Sequence, residues 1–101
     1  MNKTIMNTND WLKRTTLNEF SFVRPVAVMK NGFEISIQAS RCHYCSPRED
    51  NVQYYTHVEI GYPSHKCKTL AQYRDGDCDV YGYVPVDVVD RIIKRNGGII
   101  Q

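Results

Sequence analysis

The residues of this chain best equipped for chemistry lie together in Arg41-Cys42-His43-Tyr44-Cys45-Ser46-Pro47-Arg48. A C-x-x-C turn can wrap two thiolates around one tetrahedral ion, with further ligands drawn from Cys67 and Cys78 or from His65 and Cys67. Neither pair forms the second tight knuckle of a zinc ribbon, so the motif is half a metal site and the four cysteines read as ordinary thiols. No metal and no other cofactor is expected. A redox dithiol wants its first cysteine at a helix N-terminus, where the dipole lowers the thiol pKa, whereas this pair lies in a loop that runs into Pro47. Cys45 served by His43 or His57 would make a nucleophile and base, yet the spacing implies no third group to orient the histidine and no glycine loop to build an oxyanion hole. The six glycines are accounted for by turns, strand ends, a close approach and a helix cap, which leaves no phosphate cradle. The expectation is a binding protein and not an enzyme.

The elements that position this loop are legible on both sides of it. Val80 to Val84 reads as a strand running straight into a helix over Pro85 to Asn96, with Val86, Val89, Ile92 and Ile93 on one buried stripe. Pro85 suits a first helical turn, Asp87 and Asp90 lie toward the positive end of the dipole, Lys94 and Arg95 toward the negative end, and Asn96-Gly97 supplies a left-handed stop. Upstream, Val23 to Met29 is β-rich, Lys30-Asn31-Gly32-Phe33 carries the Asn-Gly pair of a two-residue type I′ hairpin, and Phe33 to Ser40 alternates cleanly. Phe33, Ile35, Ile37 and Ala39 take the dry face; Glu34, Ser36, Gln38 and Ser40 take the wet one. Pro25 places the first strand at an edge or marks its entry.

A third strand is expected over Val52 to Gly61, with Val52, Tyr54, Thr56, Val58 and Ile60 on one face and Gln53, Tyr55, His57 and Glu59 on the other. Asn9 or Asp10 offers an N-cap to a short helical turn carrying Trp11, Leu12 and Leu17, Trp11 serving as a lid over one end of the core. Thr69 to Arg74 reads as one more helical turn, with Leu70 and Tyr73 inward, and Asp75-Gly76-Asp77 as a tight turn. The fold class is therefore α+β: about four antiparallel strands in one layer, a C-terminal helix on one face, and a short N-terminal helical turn.

At 101 residues and 42% hydrophobic, the chain matches a single domain spanning 1–101, with 1–9 expected to be frayed. Thirteen Lys and Arg against 11 Asp and Glu give a formal charge of +2, too even to announce a polyanion. No apolar run reaches the ~20 residues of a membrane span, and Met1 to Asp10 is polar where a secretory signal is apolar, so a cytoplasmic protein without a membrane partner is expected.

Function is then sought on the uncovered sheet face, where Glu34, Ser36, Gln38, Tyr55, His57, Glu59, Tyr81 and Tyr83 are expected. Tyrosines among hydrogen-bonding neighbours, with few aliphatics, have the composition of a protein-binding surface. The residues assigned to partner binding are Tyr55, His57, Glu59, Tyr81 and Tyr83, with His43 and Arg48 from the loop. An alternative is a small nucleic-acid-binding module with a zinc-stabilised cysteine loop, using Arg41, Arg48, Lys66, Lys68 and Arg74 beside stacking tyrosines. Against it stand Glu34, Glu49, Asp50, Glu59, Asp75, Asp77 and Asp79 along the same edges.

Three runs, Gln38 to Arg48, Val58 to Ser64 and Val80 to Val86, resemble a group of small uncharacterised accessory proteins encoded by tailed bacteriophages and prophages. The shared part of the loop is His43-Tyr44-Cys45 with Pro47-Arg48, while Cys42 is not characteristic of the group. By genre the chain also resembles phage inhibitors such as anti-CRISPR proteins. That likeness implies a protein acting in the host cytoplasm on a host protein or ribonucleoprotein defence complex.

Overall fold

The Asn-Gly turn joins β1 (Ala27–Val28) to β2 (Glu34–Gln38), but not in the two-residue form its dipeptide predicts. Met29 N–H donates to Phe33 O at 2.8 Å and Gly32 N–H to Met29 O at 2.9 Å, which closes a three-residue loop. Only Gly32, at φ +93°, is left-handed there, whereas a type I′ turn needs positive φ at Asn31 as well. Asn31 is held otherwise. Its Oδ1 accepts from Phe33 N–H at 3.0 Å, and its Nδ2 donates to Asn96 Oδ1 at 2.8 Å, so tertiary contact with the far end of the chain sets the turn type.

The computed structural model describes residues 5–18, 20, 21 and 23–101. Its order is α1 (Thr8–Arg14), β1, β2, β3 (His57–Gly61), a 3₁₀ turn (Lys68–Tyr73), β4 (Val80–Pro85) and α2 (Val86–Arg95). Of the segment expected to fray, residues 1–4 lie outside the described residues, while Thr8 and Asn9 belong to α1. The strands form an antiparallel sheet in the order β1-β2-β3-β4, with both helices packed into one hydrophobic core on the same side. This is the expected α+β layer. Phe33, Ile35, Ile37 and Ala39 are buried, as their alternation predicts, and belong to the same core cluster as Val88, Val89, Ile92 and Ile93 of α2.

The helix α2 ends as Asn96-Gly97 predicts. Gly97 and Gly98 take φ of +90° and +94°, and their amides donate to Lys94 O and Ile93 O, the paired hydrogen bonds of a Schellman cap. At the other end Pro85 is the N-cap residue and the last residue of β4, one position earlier than expected. Asp90 does not serve its own helix: Thr8 N–H and Thr8 Oγ1 both donate to Asp90 Oδ1, at 2.8 and 2.5 Å, so the carboxylate sits at the positive end of α1. The N-cap of α1 is Asn7, in a capping box with Asp10, and not Asn9 or Asp10. Asn9 is used elsewhere, its amide pairing with the backbone of Tyr55 through Nδ2 to Tyr55 O at 3.0 Å and Tyr55 N–H to Oδ1 at 2.8 Å. Trp11 and Leu12 are buried at 3% and 2% exposure, closing one end of the core.

The third strand is shorter than its sequence alternation. Residues 52–56 leave the sheet because Tyr55 is fastened to Asn9 and Thr56 N–H donates to Ser46 O at 2.9 Å, so β3 begins only at His57. The ring of Tyr55, expected on the open face, turns into the core at 1% exposure and donates its hydroxyl to Glu49 O at 2.6 Å.

Candidate partner-binding surface

The face of the sheet away from the helices is partly roofed by the cysteine loop. Val58 pairs with Val84 and Ile60 with Tyr81, so between those pairs the single residue Glu59 of β3 stands opposite two residues of β4, Gly82 and Tyr83. That extra residue is a β-bulge, and Tyr83 within it takes φ +51°. A one-residue insertion reverses the alternation beyond it. Tyr81, expected beside Tyr83 on the open face, therefore points to the core at 8% exposure, and Gly82 takes the open side.

The loop lies on that glycine. Tyr83 N–H donates to Tyr44 O at 2.9 Å, Tyr44 N–H donates to Glu59 Oε1 at 2.9 Å, and Ser46 pairs with His57 as an isolated bridge. A Cβ on residue 82 would stand 3.1 Å from Tyr44 Cβ, a tight contact that would push the loop back by a few tenths of an ångström, so glycine favours this close approach. The rings of Tyr44 and Tyr83 lie 6.0 Å apart at 33°, and the Arg48 guanidinium carbon stands 5.5 Å over the Tyr44 ring. His43, His57 and Glu59 are half-buried, Arg48 is exposed, and Tyr83 is 46% exposed. Of the residues assigned to binding, Arg48, Glu59 and Tyr83 touch Tyr44, His43 precedes it with its ring on Ser40, His57 pairs with Ser46 of the same loop, and Tyr55 and Tyr81 are buried elsewhere.

The loop is braced from beneath. Ser40, fully buried, accepts at Oγ from Cys42 N–H at 2.9 Å and shares a 2.6 Å hydrogen bond with His43 Nδ1. The buried Cys45 thiol donates to Ser40 O at 3.1 Å and lies 3.4 Å from Pro47 O. Burial pushes the Cys45 thiol pKa up, and burial lowers that of His43 in spite of the nearby Glu59. Cys45 accordingly has neither the access nor the lowered pKa that a nucleophile requires. Among the described residues no three His, Cys, Asp or Glu side chains gather as a metal cluster would need, and Cys42, Cys67 and Cys78 are separate free thiols.

The other expected open-face positions diverge. Glu34 is exposed and Ser36 half-buried, but Gln38 is 4% exposed because the backbone of Arg24 brackets its amide, N–H to Oε1 at 2.8 Å and Nε2 to O at 2.9 Å. Of the basic residues in the nucleic-acid alternative, Arg41 is paired with Asp50 at 3.8 Å and Arg74 donates to Asp77 O and Cys78 O. Lys66, Lys68 and Arg74 line one depression together with Asp79 and Tyr81, and Arg48 is not among its lining residues.

Sequence alternation missed the centre of this surface. Tyr44 sits in a loop with no period to place it, and Tyr73 and Asp75 reach the same surface through the 3₁₀ turn. The one available signal was Gly82 between two tyrosines in a strand, the mark of a close backbone approach. No protein-family model, no curated protein and no solved structure matches this chain.

Proposed function

We propose that this protein is a non-catalytic binding protein that docks on another protein through the surface centred on Tyr44 and Tyr83. The observation that carries the reading is the pair itself: two large rings, 44% and 46% exposed and 6.0 Å apart, on backbones joined by a hydrogen bond at a bulge, with an arginine over one of them. Tyr and Arg dominate the energetics of protein interfaces. Tyr54 and Tyr62, at 58% and 69% exposure, add further amphipathic side chains to the protein surface.

The partner class we propose is a host defence complex, with the protein acting as a phage-encoded inhibitor of the anti-CRISPR kind in the host cytoplasm. Support for that part comes from the likeness of the His43-Tyr44-Cys45 and Pro47-Arg48 loop to phage accessory proteins, and that loop supplies Tyr44 and Arg48 to the surface. The test is capture of partners from a CRISPR-bearing bacterial lysate by the tagged protein, beside an interference assay in cells. The expected result is stable recovery of one effector complex, lost with Tyr44→Ala and with Tyr83→Ala, together with restored phage plating. Binding of bare nucleic acid with a steep salt dependence, and no protein partner, would replace this reading with the nucleic-acid one.

A further inference from the structure

Beside the Tyr44–Tyr83 pair is a shallow depression of about 300 Å³ lined by Tyr44, Tyr73, Arg74, Asp75, Gly82 and Tyr83. Its walls come from three separate parts of the fold: the loop after β2, the 3₁₀ turn with the residues that follow it, and β4. We propose that this depression receives an arginine side chain of the protein partner, its guanidinium lying against the tyrosine rings and pairing with Asp75. The inference rests on the reading of this surface as a docking surface and names the chemistry of what it holds.

Three tyrosines line the depression, and the face of an aromatic ring attracts a cation. The protein already uses one of these rings in that way, since Arg48 stands over Tyr44 at 5.5 Å. Gly82 keeps the floor low, leaving the depression open where any other side chain would press on Tyr44. Asp75 supplies the countercharge. Its backbone is committed, N–H to Val80 O at 2.9 Å and O accepting from Cys78 N–H at 3.3 Å, while the only ion pair among the described residues joins Arg41 and Asp50. Arg74, the cation that lines the depression, is folded back on the turn, with Nε donating to Cys78 O and Nη2 to Asp77 O, both at 3.1 Å. Asp75 thus stands at the edge of an aromatic depression with no cation paired to it among the described residues.

Arginine suits this arrangement better than lysine. A planar guanidinium can stack on a ring and offer its in-plane N–H fork to a carboxylate at the same time, whereas a compact, strongly hydrated ammonium does neither as well.

The experiment is an NMR titration of the whole protein with the peptide acetyl-Gly-Arg-Gly-amide, beside the same peptide carrying citrulline or lysine. The arginine peptide is expected to shift the amides of Asp75, Gly82 and Tyr83 and the ring signals of Tyr44 and Tyr73, saturating in the millimolar range. Lysine is expected to bind at least about fivefold more weakly, in line with a cation–π and fork contribution near 1 kcal/mol, and neutral citrulline not to saturate. Asp75→Asn should weaken the arginine peptide at least about fivefold, while Asp77→Asn, at a neighbouring turn position, should leave it unchanged. Equal binding of citrulline, equal binding of lysine, an unchanged affinity in Asp75→Asn, or shifts confined to other parts of the surface would each overturn the proposal. Because no natural partner enters this titration, its failure leaves the capture experiment with Tyr44→Ala and Tyr83→Ala as an independent test of docking.

Discussion

Tyr83 adopts φ +51°, a left-handed conformation that costs a non-glycine residue roughly 1–2 kcal/mol. Its ring is not in the core, so the conformation is kept for something other than burial, and strain of this kind gathers at sites of function. Tyr83→Gly is expected to leave the unfolding free energy unchanged or to raise it by about 1 kcal/mol while abolishing partner capture. Chemical denaturation decides this. A fall of more than about 1 kcal/mol would mean that the ring is held for folding. His43 makes a second prediction. Burial lowers its pKa below the ordinary 6.5, so between the folded and unfolded values the unfolded chain binds more protons and stability rises with pH. The stabilisation is present above about pH 6.5 and is lost as pH falls from there through the lower folded value. His43→Asn, whose amide can approach Ser40 Oγ without titrating, should flatten that part of the stability–pH curve. An unchanged slope below about pH 6.5 would place the acid sensitivity elsewhere. Arg24 is a further buried residue at 3% exposure, donating to Ala39 O at 2.6 Å with its Nε unpartnered, and burial lowers its pKa.

At the scale of elements, the pairing of α2 with the sheet sets the fold. Val86, Val88, Val89, Ile92 and Ile93 are buried along one side, and Arg91, Lys94 and Arg95 are exposed on the other. Ile93, at 0% exposure, touches the middle of the core, so Ile93→Ala should destabilise the protein by about 2 to 5 kcal/mol. Arg91→Ala should change stability by no more than about 0.5 kcal/mol. Equal effects of the two substitutions in urea unfolding would contradict the orientation of the helix. The same end of α2 carries Asn96, whose side chain holds Asn31 of the hairpin, and the chain beyond it runs along β1: Val28 N–H donates to Gln101 O at 2.7 Å and Ile100 N–H to Val28 O at 2.8 Å. A strand of two residues is marginal alone, and this flanking segment gives its outer edge a partner.

For the whole molecule, one continuous core joins both helices to the sheet, and the cysteine loop is fastened to it by backbone and carboxylate hydrogen bonds. Thermal melting with and without a strong chelator is expected to give the same midpoint, and elemental analysis to give no stoichiometric zinc. One zinc per chain and a large chelator-induced drop would raise Cys42, Cys45, Cys67 and either Cys78 or His65 to ligands and require the loop to rearrange. The sequence by itself determined the elements whose signals are local and periodic: the stripe of α2, its Asn96-Gly97 stop, the alternation from Phe33 to Ala39, the Leu70 turn and the antiparallel layer they imply. Period and capping act within a few residues, so they need no knowledge of neighbours. The tertiary structure alone decided which tyrosines face outward. One bulge in β4 sent Tyr81 to the core while Tyr83 kept its expected place on the surface, the side chain of Asn9 drew Tyr55 out of its strand, and Arg24 closed over Gln38. Each of these depends on a hydrogen bond or packing contact between residues distant in the chain, and a two-residue alternation carries no record of where such a contact interrupts it.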